Sequence, residues 1–266
     1  KNTDKYVAAS VAANIPPFLD APRHVEMRRW LSKCFFERLR AFEPQIEAIA
    51  QAHVSRLAPA TPYLLVEVIG RNFVVDTIGQ FVGVDVAPDD MKQITGALFR
   101  LFAPAADAEA FEQTNVGLAK AREILISALH ERRMDQRECL LNMLDQSDLS
   151  GLGGAEKDAV IADNALLILA DGIENVEAAI ANVMMRKKRI GGDISAEFVR
   201  ETITEDTPGQ TIARIASQEM VIGSEKVSAG TPVFLSLASA NDGAENSEDF
   251  SFGMGRHKCI GEQLAV

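Results

Sequence analysis

The chain has 266 residues, 47% of them hydrophobic and 24% charged, which is the balance of a globular protein with a sizeable core and excludes wholesale disorder. Lys plus Arg number 27 against 38 Asp plus Glu, and the net charge of −11 repels a phosphate backbone, which argues against general nucleic-acid or anionic-membrane binding. Three cysteines, Cys34, Cys139 and Cys259, are too few and too scattered for a disulfide framework or a paired-cysteine zinc site. No segment approaches the ~20 apolar residues of a membrane span. The N-terminal KNTDKYVAASVAANIPP lacks the sustained apolar stretch of a secretory signal, so a cytoplasmic protein is expected.

The first two-thirds reads as helix after helix. Pro22 behind Asp20 marks a helix start. His24 to Phe36 follows, with Trp30, Leu31, Cys34 and Phe35 on an apolar stripe and Arg23, Arg28, Arg29 and Lys33 largely off it. Pro44 to Leu57, Tyr63 to Phe81, Asp89 to Phe102, Glu112 to Arg133 and Gln136 to Leu144 carry similar periodicity. Ser147 to Gly154 reads as a loop, and a long helix is predicted from about Ala155 to Arg186. After Gly191 and Gly192 one more helix is predicted over Ser195 to Thr204, ended by Asp206, Thr207 and Pro208. Extended stretches follow at Thr211 to Ala216, Met220 to Ile222 and Thr231 to Ala238, and Asn241 to Asp249 reads as an acidic loop. The expected class is mainly α with a small β portion, as one domain over 1–266.

The most informative piece is F-S-F-G-M-G-R-H-K-C-I-G-E-Q-L-A near the end. Gly253 and Gly255 permit turns that side chains forbid. Cys259 then arrives at a predicted helix start, beside Arg256 and His257, where positive charge and backbone N–H groups favour a thiolate. A thiolate on a rigid loop suits heme iron as an axial ligand.

The spacing Phe252-Gly253-x-Gly255-x-His257-x-Cys259-x-Gly261 resembles the heme-binding signature of cytochromes P450 at every fixed position. The resemblance implies a P450-like fold and heme b, with Cys259 as the thiolate ligand of the iron, Phe252 packed near the sulfur and His257 reaching a propionate. Other landmarks lie in order. D-A-P-R-H-V-E-M-R-R-W looks like the family's propionate-binding C helix, with His24 and Arg28 one turn apart on one face. Arg214 in T-I-A-R-I-A resembles the family arginine that follows the K helix and contacts a propionate. The helix from Ala155 to Arg186 looks like the long I helix over the distal heme face. It carries a polar stripe of Asp171, Glu174, Asn175 and Asn182, and Gly172 in mid-helix costs ~1 kcal/mol relative to Ala. Aligned on the family pattern, Glu174 stands at its catalytic acid and Asn175 at its usual alcohol. Asn can hold a water and donate a hydrogen bond but is no proton source.

The chain also departs from the family. In the usual register the K-helix Glu-x-x-Arg motif falls on Glu201 and Thr204, with the arginine missing; a literal match at Glu197 and Arg200 lies one turn too early, and an insertion would bring it into place. The stretch from Asn241 to Phe252 and the link from Glu174 to Glu201 are short. The chain starts near the family's B–C region and stops soon after Cys259, which reads as a shortened or partial version of the family. The function implied is a monooxygenase inserting one oxygen atom of O₂ into a small apolar substrate held near Leu169, Ala170 and Ile173, with the loop Thr207 to Thr211 opposite. A ferredoxin or flavodoxin would dock by Arg256 and Lys258 and supply the electrons. The alternative is a heme-binding sensor, carrier or partner-binding scaffold with weak or no turnover. Cys34 and Cys139 are expected to be structural.

Overall fold

The computed structural model describes residues 2–59, 61–102, 107–149, 151–243 and 249–266. Residue 150, in the predicted Ser147–Gly154 loop, and 244–248, in the predicted acidic loop, lie outside the described residues. The chain divides into two compact units: 1–101 with 109–178, and 102–108 with 179–266.

The first unit is helical. A short helix α1 (Val7–Ala12) precedes α2 (Arg23–Ser55), α3 (Asn72–Val82), α4 (Pro88–Phe102), α5 (Ala108–Asp135), α6 (Leu140–Gln146) and the first half of α7 (Gly154–Ile190). The two helices predicted over His24–Phe36 and Pro44–Leu57 are one. Pro44 sits inside α2, although an interior proline removes a backbone hydrogen bond and costs ~3 kcal/mol. Continuous burial on both sides of it offsets that cost: Leu31, Phe35, Leu39 and Phe42 before, Ile49 after. Phe81 of α3 meets Phe35 at 5.2 Å and Phe42 edge-on at 5.6 Å between ring centroids. The helix predicted from Tyr63 begins instead with a π-helical turn, Val66–Arg71, and continues as α3. Val160 to Ala170 of α7 are buried without a break, as expected of a helix surrounded by others.

Buried charge ties this unit together. Asp163 of α7 is fully buried and accepts both arms of Arg122 from α5, Nε at 2.8 Å and Nη2 at 2.7 Å, with Asn14 Nδ2 at 2.8 Å. Arg122 also reaches Ser10 of α1 at 3.0 Å. One carboxylate therefore fixes the N-terminal segment, α5 and α7.

The second unit holds the rest of α7, α8 (Ala196–Glu205), four strands, α9 (Leu237–Asp242) and α10 (Glu262–Ala265). Ser195 caps α8 by accepting from Phe198 N–H at 3.1 Å. Strand β1 (Thr211–Ile215) pairs antiparallel with β4 (Pro232–Ser236), Thr211 opposite Ser236 and Ile215 opposite Pro232. Strands β2 (Met220–Ile222) and β3 (Glu225–Val227) form a hairpin. Its two-residue turn places Gly223 at φ 61°, a region open to glycine at the first position of a favoured hairpin turn. The strand predicted to Ala238 stops at Ser236, because Ser236 turns to cap α9, accepting from Ser239 N–H at 3.2 Å. The mainly α class with a small β portion is what the structure contains.

Candidate heme-binding site

The cysteine loop of the second unit is held in place before the cysteine is reached. Asn241 of α9 is the hub: its Nδ2 donates to Thr204 O at 3.0 Å, Thr207 Oγ1 at 2.8 Å and Ser251 Oγ at 2.9 Å, while its Oδ1 accepts from Phe250 N–H at 2.8 Å. Ser251 in turn donates to Ile203 O at 3.0 Å. The entry to the glycine loop is thus bolted to the end of α8. Gly253 at φ 67° and Gly255 at φ 75° reverse the backbone, and Cys259 N–H closes the loop on Phe252 O at 2.8 Å. Only glycine adopts both left-handed turns without strain.

Cys259 is exposed, and its Sγ accepts the Gly261 N–H at 3.2 Å. An amide aimed at the sulfur favours the thiolate over the thiol. Cys34 and Cys139 are buried, and burial pushes both thiols up. The chemistry of an axial heme ligand, a soft exposed sulfur on a fixed loop with an amide donor, therefore fits Cys259 and neither of the others. Phe252 and His257 are half-buried on the same loop, and Arg214 lies exposed on β1. Lys258 pairs with Glu262 at 2.7 Å, and Glu262 also receives Arg200 of α8 at 3.2 Å.

Neither Glu-x-x-Arg register forms a pair inside α8. Arg200 goes to Glu262 and not to Glu197. Glu201 takes its arginine from another helix: Arg186 of α7 reaches it at 3.0 Å, and also Glu205, with its guanidinium 5.3 Å from the centre of the Phe198 ring. The site reasoning from sequence missed Arg186 and Asn241. Arg186 is one of four basic residues in M-M-R-K-K-R, and nothing in that run singles it out. Asn241 lay in what read as an acidic loop, and no pattern marks a residue whose four partners are scattered over forty positions.

The other predicted site residues belong to the first unit. His24 is buried at the start of α2, with Arg28 half-buried one turn on. On α7, Glu174 is exposed, and Asn175 spends its amide on the Asp171 backbone O at 3.0 Å. Asn182, in the second unit, reaches Asp206 O at 2.8 Å, so the predicted polar stripe has separate fates along its length. Leu169, Ala170 and Ile173 are buried. Burial pushes the Asp171 carboxyl up to about 6.

No family model matches the chain. Cytochrome P450 109 of Bacillus spizizenii is 24% identical over 276 residues, covering 93% of this chain and 67% of its own length. Cytochrome P450 CYP105Q4 of Mycobacterium marinum is 27% identical over 275 residues, 92% of this chain and 64% of its own. The chain thus spans about two thirds of the length of these curated relatives. Among solved structures, P450BioI in complex with an acyl carrier protein bearing hexadec-9Z-enoic acid superposes with a TM-score of 0.80 at 18% identity, over 97% of this chain and 72% of that one. With the cysteine signature, the chain is similar in sequence to these cytochromes P450 and shares the fold of the solved one. No helix among the described residues is long and apolar enough to cross a membrane.

Proposed function

We propose that the protein is a heme-thiolate monooxygenase, with Cys259 as the iron's protein ligand. The observation that carries this reading is the Cys259 loop, exposed at its sulfur, closed on Phe252 and supplied with the Gly261 N–H. Heme b, when bound, supplies the activation of O₂ and the insertion of one oxygen atom into substrate. Cys259 holds the iron, and the Gly261 amide stabilises the sulfur's negative charge. Phe252 shields the sulfur from water, while His257, Arg214, His24 and Arg28 are the residues that the family resemblance assigns to the propionates. Glu174, exposed on α7, exchanges protons with solvent and passes them toward the distal face. Asn175 orders water there through the carbonyl oxygen of its side chain, its amide being committed to Asp171 O. An apolar substrate and a ferredoxin- or flavodoxin-type donor complete the cycle, the donor meeting Arg256 and Lys258.

The test is the reduced carbon-monoxide difference spectrum. Thiolate ligation places the Soret band at long wavelength, and Cys259→Ser should abolish it while Cys34→Ser leaves it. A well-folded, heme-loaded wild type without that band overturns the reading. A band present without product per reducing equivalent would instead favour the sensor or carrier alternative.

A further inference from the structure

The three residues that present the sulfur, Cys259, Ile260 and Gly261, stand between two charged ones. Lys258 Nζ meets Glu262 Oε2 at 2.7 Å, so an ion pair four positions apart spans the turn whose Gly261 N–H faces Cys259 Sγ. The other oxygen of the same carboxylate, Oε1, accepts Arg200 Nη1 of α8 at 3.2 Å. Glu262 is the less exposed partner in both pairs, its side chain 22% exposed against about half for Lys258 and Arg200. Bonds from Lys258 and then from Arg200 hold its carboxyl below the ordinary range. The entry to the loop is fastened to the same helix. Ser251 donates to Ile203 O and Asn241 to Thr204 O, one turn after Arg200. Asn241 serves the entry, at Phe250 and Ser251, and Glu262 serves the exit.

An N–H bond to a ligating sulfur tunes how much charge the sulfur gives the metal, so its geometry matters to the site beyond holding the chain in place. The Gly261 amide keeps that geometry only while the turn on either side of it is fixed. We propose that Glu262 is a positioning residue for Cys259: by taking Lys258 on one oxygen and Arg200 on the other, it closes the turn around the sulfur and fastens its exit to α8. What the sulfur holds comes from the monooxygenase reading, on which this role rests; the clamp itself stands on the two ion pairs.

The variants are Glu262→Gln, which keeps the shape and loses the charge, Arg200→Gln, and the two combined, all in heme-loaded protein. Two quantities are read: hydrogen exchange at the Gly261 amide, relative to the unstructured peptide of each variant, and loss of the long-wavelength carbon-monoxide band in mild denaturant. Glu262→Gln should lower protection of the Gly261 amide about fivefold and speed loss of the band by a similar factor. Arg200→Gln should do the same more weakly, because Lys258 still closes the turn, and Arg200→Lys should keep most of the wild-type protection. The double variant should match Glu262→Gln, because Arg200 acts through Glu262. Protection should be unchanged at Phe250, whose amide bonds Asn241, and at Ala216, whose amide bonds Thr231 O. A loss of less than about twofold at Gly261 in Glu262→Gln overturns the proposal. So does an equal loss at Phe250 and Ala216, which would make Glu262 a support of the whole unit. Losses that add in the double variant overturn it too, since Arg200 would then act apart from Glu262. A wild type without the long-wavelength band removes the monooxygenase, and exchange at Gly261 in the same samples still decides the clamp. The band with unchanged exchange in Glu262→Gln removes the clamp and leaves the monooxygenase standing.

Discussion

Arg186 of α7 donates from Nη2 to Glu201 of α8 at 3.0 Å and from Nη1 to Glu205, so an acid that lacks an arginine in its own helix is served by one from the helix before it. Arg186 is buried and also lies over the ring of Phe198, while both glutamates are about half exposed. Removing the arginine leaves the glutamates hydrated rather than stranded, so the loss is that of two charge-assisted bonds and the ring contact. Arg186→Leu should lower the stability of the heme-free protein by about 1–2 kcal/mol. Arg186→Lys, with one donor head for two acids, should recover less than half of that. The check is denaturant unfolding; an unchanged midpoint in Arg186→Leu would show the pair to be idle.

Asn241→Ala removes the hub that joins Phe250 and Ser251 to the end of α8. Four bonds go at once and their partners are half-buried, so a loss of about 2–3 kcal/mol is expected. The effect should be local. Hydrogen exchange at the Phe250 and Cys259 amides should quicken more than at β1, and heme retention should fall. Uniform acceleration across the chain would mean that Asn241 supports the whole unit and not the loop.

Acid sensitivity should centre on Arg133. It bonds Asp145 at 2.9 and 2.7 Å and Asp158 at 3.1 and 2.5 Å, and these bonds hold both carboxyls below their ordinary range. Lowered folded values mean that the contribution is complete above the unfolded carboxyl value of about 4 and drains away as pH falls through the folded values. Arg133→Gln should therefore cost about 1–2 kcal/mol at neutral pH, and the gap to wild type should close as pH falls through the lowered folded values. Parallel stability curves from neutral to acid pH would contradict this assignment.

Asp171 titrates in the opposite sense. Its folded value of about 6 lies above the unfolded one, so the folded state carries the cost of the buried charge at neutral pH and sheds it as pH falls between the two values. Asp171→Asn should stabilise the ligand-free protein by about 2 kcal/mol at neutral pH, with the gain vanishing near pH 4. A gain that does not change with pH would point to packing and not to charge.

The long helices, three of the four late strands and the glycine turns of the cysteine loop are legible in the sequence because each rests on local information, whereas the short elements α1, β3 and α9 are not. Periodicity marked α5, α7 and α8 to within a few residues, and Gly253 and Gly255 announced their turns. Pro44 misled as a helix start for a tertiary reason: burial on both flanks outweighs the local cost of a proline. The missing arginine of α8 was visible as Thr204, but its replacement was not, since Arg186 and Glu201 are brought together by the return of the chain after Gly192. The same holds for Asn241. Whether a polar side chain finds partners depends on what other segments place beside it, and a residue's own neighbours in the sequence carry no record of that. Backbone conformation and residue chemistry are short-range properties that composition and spacing encode; the pairing of charges and amides across 15 to 150 positions is decided only when the chain has closed on itself.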